Sequence, residues 1–254
     1  MLLCVDIGNS NITLGVYEGE TLRFVARLAT DRLKTGDQYA VELRNIFHIY
    51  DISTKEISGS CLASVVPSVG RALRTAVELV TGKKPLVVGP GVKSGLNIKI
   101  DNPAQLGADL VAGGVAAVAM YPLPCIIFDL GTATTISVID KHANYLGGSI
   151  SAGVGISHEA LTNRTSLLQS VEIDTPKSVI GSNTIDCIQS GLIYGCASML
   201  DGMAERIEEK LGEKATLVAT GGLAPEIIKN CKRKIEYCDN LLLEGLRIIY
   251  NKNK

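Results

Sequence analysis

The sequence predicts an α/β protein built by duplication, with two similar lobes around a central cleft. Three observations predict it. An apolar run closing on Asp-x-Gly occurs twice, at Asp6-Ile7-Gly8 and at Asp129-Leu130-Gly131, 123 positions apart. Each copy continues into a small-residue turn and then a β-branched run: Asn9–Asn11 before Ile12, Leu14 and Val16, and Thr132–Thr134 before Thr135–Asp140. A repeated strand, turn, strand, strand pattern marks a duplicated supersecondary unit. Finally, no linker or low-complexity stretch divides the chain, so the lobes are expected to span about 1–115 and 116–254 and to pack tightly.

Leu2–Asp6 is apolar and ends in an acid. Ile12, Leu14 and Val16 alternate with Thr13 and Gly15, the period of a half-buried strand. Glu18-Gly19-Glu20 is a turn and Leu22–Leu28 a third strand. From Asp37 to Tyr50, residues Tyr39, Leu43, Ile46, Phe47 and Tyr50 recur at three- and four-residue steps, which puts them on one helix face. Ser60–Val65 reads as a strand, Val69–Thr81 as a helix and Pro85–Val88 as a strand. Leu110–Phe128 carries no charge over a length approaching a membrane span. Gly113-Gly114, Pro122 and Pro124 divide it into a buried helix ending near Tyr121-Pro122 and a buried strand from Cys125 to Phe128. A helical pattern follows Gly155. Thr184–Leu211 is a long apolar-periodic stretch punctuated by Gly191, Gly195 and Gly202, which predicts close packing against another helix. Thr216–Ala219 is a strand, and Leu241–Tyr250 closes the chain as a helix.

Composition excludes several functions. The chain has 254 residues, with Lys+Arg 25 against Asp+Glu 26, a net charge of −1. No basic surface for nucleic acid follows from that balance. Trp is absent and aromatic residues make up 4%, too few for a platform that stacks single-stranded bases. The apolar start is stopped by Asp6, so no secretory signal or membrane anchor is expected there. Cys4, Cys61, Cys125, Cys187, Cys196, Cys231 and Cys238 form no Cys-x-x-Cys pair. Free thiols in a reducing, cytoplasmic compartment are the expectation. His48, His142 and His158 show no metal-ligand spacing.

Three glycine-containing turns each follow a buried strand: Asp6–Asn11, Asp129–Thr134 and Thr220–Leu223. Turns of Gly with Ser or Thr let backbone N–H groups and hydroxyls approach phosphate oxygens. An acid at the strand end can hold hydrated Mg²⁺ near those oxygens. Any single Asp-x-Gly is also a common hairpin turn; two in equivalent places, with a third late in the chain, point to nucleotide chemistry.

The pattern resembles the sugar kinase, Hsp70 and actin superfamily, in which two ribonuclease-H-like lobes clamp ATP between two phosphate loops. Asp6-Ile7-Gly8-Asn9-Ser10 is similar to the first loop, Asp129-Leu130-Gly131-Thr132-Ala133 to the second, and Val218–Leu223 to the adenosine-contacting segment. Within that superfamily the chain resembles type III pantothenate kinases over essentially its whole length. The further matches are Asp101-Asn102-Pro103, Gly107-Ala108-Asp109, Gly147–Ile150 and Gly181–Thr184. The resemblance implies an enzyme that uses ATP and Mg²⁺ to phosphorylate pantothenate to 4′-phosphopantothenate, the first step of coenzyme A biosynthesis. It also implies a monovalent cation, K⁺ or NH₄⁺, and a homodimer.

Residue roles follow from the same resemblance. Asp6, Ile7, Gly8, Asn9, Ser10, Asn11, Ile12 and Thr13 would hold the ATP phosphates, with Asp6 near Mg²⁺. Thr132 would contact ATP, and Asp129 the monovalent cation. Gly107, Ala108, Asp109 and Leu110 would hold pantothenate, with Asp109 as general base, and Thr184 would contact pantothenate near the dimer interface. Read from the residues alone, Asp109 is equally an acid placed at a helix start by the dipole. The chain departs from the family's usual residues at Ser10 for Thr, Leu110 for Arg, Ile100 for an aromatic residue and Ala152 for Pro. Two other readings stay open: a different small-molecule kinase of the superfamily, and a non-catalytic nucleotide-binding regulator.

Overall fold

The computed structural model describes residues 1–254. In the first unit, β1 (Leu2–Ile7), β2 (Asn11–Glu18) and β3 (Thr21–Ala29) form an antiparallel meander, and β4 (Gly59–Ser64) and β5 (Leu86–Val87) add in parallel beyond β1. The sheet order is β3-β2-β1-β4-β5. The period-2 pattern of β1 explains how both faces are covered. Leu3, Val5 and Ile7 join a core with Tyr39, Leu43 and Phe47 of α1 (Gly36–Ile49) and Val69, Leu73 and Val77 of α2 (Pro67–Thr81). Leu2 and Cys4 face the other way, onto Ala112 and Val115 of α3 (Ala108–Met120) and Leu243, Leu246 and Ile249 of the C-terminal helix, α7 (Leu241–Lys252). A sheet covered on both faces accounts for the near-continuous apolar runs of β1 and β4. Local signals set the helix ends. Thr35 and Gln38 close a capping box on α1, and α2 starts with Pro67 and stops at Gly82 in the left-handed region, φ 69°.

The second unit repeats this wiring. Here β7 (Cys125–Leu130), β8 (Ala133–Ile139) and β9 (Asn144–Ala152) form the meander, and β10 (Thr216–Thr220) and β11 (Glu236–Tyr237) add in parallel beyond β7. A short strand, β6 (Asn97–Ile98), extends the far edge, giving the order β11-β10-β7-β8-β9-β6. β1 and β7 share one burial pattern, in which all residues are buried except the Asp at the fifth position. Helices α4 (Val154–Arg164), α5 (Thr184–Leu211) and α6 (Ala224–Ile228) cover the face that carries Ile126, Phe128 and Leu130.

The chain forms two compact units, each drawn from separate segments. Unit one holds Met1–Leu96, Asp101–Ala119 and Asn240–Lys254; unit two holds Asn97–Ile100 and Met120–Asp239. The last helix returns to the first sheet because its apolar stripe completes the Leu2 and Cys4 face. Gly245 lets its backbone meet the Ala112 carbonyl at a distance no side chain would allow. The uncharged run 110–128 divides into α3 and β7, and no helix is long and apolar enough to cross a membrane. The glycines of α5 differ from the expectation of close packing: nothing within the chain lies within 4 Å of where a Cβ would stand at Gly191, Gly195 or Gly202.

One charged residue is deeply built into unit two. Glu208, near the end of α5, is 4% exposed. It accepts two hydrogen bonds from Arg233, 2.7 and 3.0 Å, one from Lys214 Nζ at 2.8 Å and one from the Ala215 N–H at 3.1 Å. Those bonds, Arg233's first, hold its carboxyl down to about 2. The folded state therefore gains stability above the ordinary Glu range, and that gain fades as pH falls toward 2. Glu208→Gln is expected to destabilise the protein by about 3 kcal/mol at pH 7, as for a buried pair that loses one partner. Urea unfolding of both proteins at pH 7 and pH 3 checks this: the difference should shrink at pH 3, and a pH-independent difference would assign the loss to packing alone.

Candidate functional site

In β1 the residues Leu2 and Cys4 face α3 and α7, so Asp6, two further along, points to the same face. Strand register puts Thr13 directly across from Asp6 on β2 and Ala63 beside it on β4. The turn that follows is narrow. The Gly8 N–H donates to the Asn11 carbonyl at 2.9 Å, and a Cβ at Gly8 would crowd that oxygen at 3.1 Å. Asn9, Ser10 and Asn11 are exposed, whereas the Ile7 and Ile12 side chains lie in the core. Ile7 and Ile12 thus offer the turn main-chain groups only.

The exit of β3 pins this turn. The Thr30 hydroxyl donates to the Gly8 carbonyl at 2.7 Å, the Thr30 N–H to the Ser10 carbonyl at 2.9 Å, and Arg32 Nη2 to Asn9 Oδ1 at 3.2 Å. Thr30 and Arg32 were not among the residues expected from sequence. The signal was available in the meander: with Asn11 paired to Ala29, the residues after Ala29 must lie level with those before Asn11.

Asp109 stands in the first turn of α3, the helix that packs on the Asp6 face of the sheet. It is half-buried, and its Oδ1 accepts the Leu110 N–H at 2.8 Å. Gly107 gives that carboxylate room, because a Cβ there would overlap Oδ1. Burial raises the Asp109 carboxyl above the usual Asp range, outweighing the backbone hydrogen bonds from Leu110 and from its own N–H that lower it. The result is a carboxylate more basic than usual, one N–H of a helix start away from solvent. Leu110 brings no charge to it.

In unit two the equivalent turn is one residue shorter. Asp129 is in register with Thr135 on β8 and with Thr220 on β10, so the three side chains share one face of the sheet. The Gly131 N–H donates to the Ala133 carbonyl at 3.1 Å, and the Gly153 N–H to the Thr132 carbonyl at 3.2 Å. Two glycines press backbone against this turn. At Gly153 a Cβ would overlap the Gly131 and Thr132 carbonyls; at Gly221, with φ +99°, it would lie 2.5 Å from the Leu130 carbonyl oxygen. The structure thereby sets the Thr220-Gly221-Gly222 segment beside the second turn and leaves Thr132 exposed. Thr184 is exposed at the start of α5, where Asn183 Oδ1 caps the helix by accepting the Asp186 N–H at 3.0 Å.

These groups fit a nucleotide and its ions by their chemistry. Exposed amides and hydroxyls with a guanidinium surround the first turn, a donor set suited to phosphate oxygens. The single carboxylate of Asp6 suits Mg²⁺, which takes one or two carboxylates and completes its shell with water and phosphate. The oxygen-only row of Asp129, Thr135 and Thr220 suits a hard cation.

A family model described as type III pantothenate kinase matches residues 2–206. Proteins named type III pantothenate kinase from Moorella thermoacetica and Halalkalibacterium halodurans are 44% and 43% identical to this chain, with each chain covered in full. Among solved structures, a conserved putative Baf family transcriptional activator from Campylobacter jejuni aligns with TM-score 0.64 at 19% identity, covering 99% of this chain and 98% of its own. A ROK hexokinase from Thermus thermophilus aligns with TM-score 0.53 at 12% identity, again covering 99% and 98%. At such identities the structural likeness speaks for the fold, that of actin-like ATPases and sugar kinases with duplicated ribonuclease-H-like lobes.

The raised carboxyl of Asp109 gives a stability test. A carboxyl raised on folding costs stability once it ionises, so the cost is absent below the ordinary Asp range near ~4 and present at neutral pH. Asp109→Asn removes the charge and is expected to raise the melting temperature at pH 7, at about 2–4 °C per kcal/mol in a chain of this size. The difference should close as the pH is lowered through ~4. A lower melting temperature for the variant at pH 7 would show that the helix start gains more from the charge than burial costs.

Proposed function

The chain belongs to the type III pantothenate kinase family, and from that premise we propose that Asp109 is the base with which it activates its acceptor. The protein is a pantothenate kinase: it phosphorylates pantothenate with ATP in the first step of coenzyme A biosynthesis. The observation that carries the assignment is the half-buried, raised Asp109 carboxylate at the start of α3, a helix on the side of the sheet that also bears Asp6 and Thr13. As the primary hydroxyl oxygen of pantothenate bonds to the γ-phosphorus, the bond to the ADP oxygen breaks and the hydroxyl proton passes to Asp109. The Leu110 N–H donates to Oδ1 and holds the carboxylate in place for that transfer. Burial supports this by making the carboxylate a stronger acceptor than a solvated one.

The other roles are proposed by position. Residues Asp6–Thr13 hold the phosphates of ATP and Thr132 contacts the nucleotide; Asp6 would hold Mg²⁺, which offsets charge on the phosphates. Gly107, Ala108, Asp109, Leu110 and Thr184 bind pantothenate. Asp129, flanked by Thr135 and Thr220, takes the monovalent cation, K⁺ or NH₄⁺. We propose a homodimer through α5. Its glycines at 191, 195 and 202 face open space within the chain, and Ile185 near its start is 42% exposed. The seven free cysteines support a reducing, cytoplasmic setting.

Three measurements test these assignments. Asp109→Asn should lower turnover by about 10²- to 10⁴-fold while ATP affinity holds; near-normal turnover removes Asp109 as the base. Replacing K⁺ by Na⁺ should cut turnover markedly, and equal rates in the two salts remove the cation from Asp129. Sedimentation should show a dimer, and full activity in a species of the 26.9 kDa chain mass would rule the shared interface out.

A further inference from the structure

Arg32 donates to Asn9 of the first turn, and the family roles leave it unused. It follows β3 in a strap, 30–35, that is fixed at both ends. On one side Thr30 makes its two hydrogen bonds to Gly8 and Ser10. On the other, the hydroxyl of the fully buried Tyr39 donates to the Asp31 carbonyl at 2.8 Å and accepts the Asp31 N–H at 3.1 Å. Asp31 Oδ1 accepts the Leu33 N–H at 2.9 Å, and Thr35 begins α1 through its capping box. The backbone that carries Arg32 is therefore held in place by the core.

The two cations of this strap are treated differently by the protein. Lys34, two residues on, is paired with Glu42 at 2.5 Å. Arg32 is exposed, forms no ion pair, and donates to a neutral oxygen, Asn9 Oδ1. A guanidinium has five N–H donors in a planar fork that matches phosphate in two-point fashion. Arg32 gives one hydrogen bond to Asn9, in the middle of a turn of exposed amides and hydroxyls, and its exposed side chain has further donors to offer a ligand there.

We propose that Arg32 binds the phosphate chain of the nucleotide, acting from outside the turn as a second anchor beside the Asp6–Thr13 groups. The inference rests on the reading of that turn as the phosphate loop. It makes a graded demand: the contribution of Arg32 must depend on how many phosphates the ligand carries, because charge attracts charge and the base and sugar offer none.

The test is direct titration of the full-length protein, without acceptor, using ATP, ADP and adenosine. Wild type is compared with Arg32→Ala, Arg32→Lys and Ser10→Asp. Arg32→Ala should weaken ATP by about tenfold or more, ADP by less and adenosine not at all, where tenfold corresponds to about 1.4 kcal/mol. Arg32→Lys, which keeps charge without the fork, should fall between. In steady state, KM for ATP should rise in Arg32→Ala while KM for pantothenate holds. The melting temperature should hold as well, since the side chain is exposed. Wild-type ATP affinity in Arg32→Ala, or an equal loss for ATP and adenosine, overturns the proposal; the second outcome would mean that Arg32 only shapes Asn9. Ser10→Asp separates the two levels of inference. It places a carboxylate in the turn and should repel ATP if the turn holds phosphates. ATP weakened by Ser10→Asp but not by Arg32→Ala rejects Arg32 alone; ATP weakened by neither rejects the phosphate loop itself.

Discussion

A carboxylate cannot be placed in the middle of a strand that is buried on both faces, and this restriction organises both sheets. Dehydrating an unpaired charge costs several kcal/mol. β1 and β7 are central strands in which every residue but one is buried, and the exception in each is the Asp just before the last residue. There the strand opens into a turn and the carboxylate regains polar company. The ends of central strands are also where α/β sheets receive ligands. Once Asp6 has been assigned to one face by the period of the strand, the helices on that face determine what else can act with it. Those helices are α3 and α7, and the first turn of α3 carries Asp109.

At Asp109 two general effects oppose each other. A helix start favours a negative charge, typically by about 0.3–1 kcal/mol at an exposed position. Burial disfavours it, and here burial wins, because the side chain lies tucked against Gly107 rather than reaching into solvent. A structure that wanted only a well-capped helix would expose this carboxylate. Keeping it half-buried makes the helix start less stable and the carboxylate more basic, an exchange of stability for function if Asp109 is the proposed base.

The strongest periodic signals in the sequence coincide with the structure. Thr184–Leu211 is one helix to the residue, and the two Asp-x-Gly repeats are equivalent strands with equivalent neighbours. What could not be read has physical reasons. β6 and β11 are two residues long, too short to show any period, and exist because a neighbouring edge accepts them. α7 has a legible apolar stripe, but a stripe does not say which sheet it will cover. The α5 glycines predicted a close neighbour that the single chain does not supply. Among the candidate site residues, the strand-end positions of the two acids and the turn positions of their glycines were legible from local pattern. Thr30 and Arg32 were not, because their role depends on hairpin register rather than on any motif of their own.

The return of the last helix to the first unit has a consequence for how the chain is made. A ribosome releases β1 to β5 first, then α3 between the two segments of unit two, and α7 only at the end. Until then the face of the first sheet bearing Leu2, Cys4 and Ala63 lacks Leu243, Leu246 and Ile249 and stays partly uncovered. Unit two, whose segments lie wholly within residues 97–239, can complete itself during synthesis. The half of the molecule that emerges first is thus the half that finishes last. A nascent chain stalled before residue 240 would carry a finished second unit and an unfinished first, with its apolar sheet face open to chaperones and to other chains.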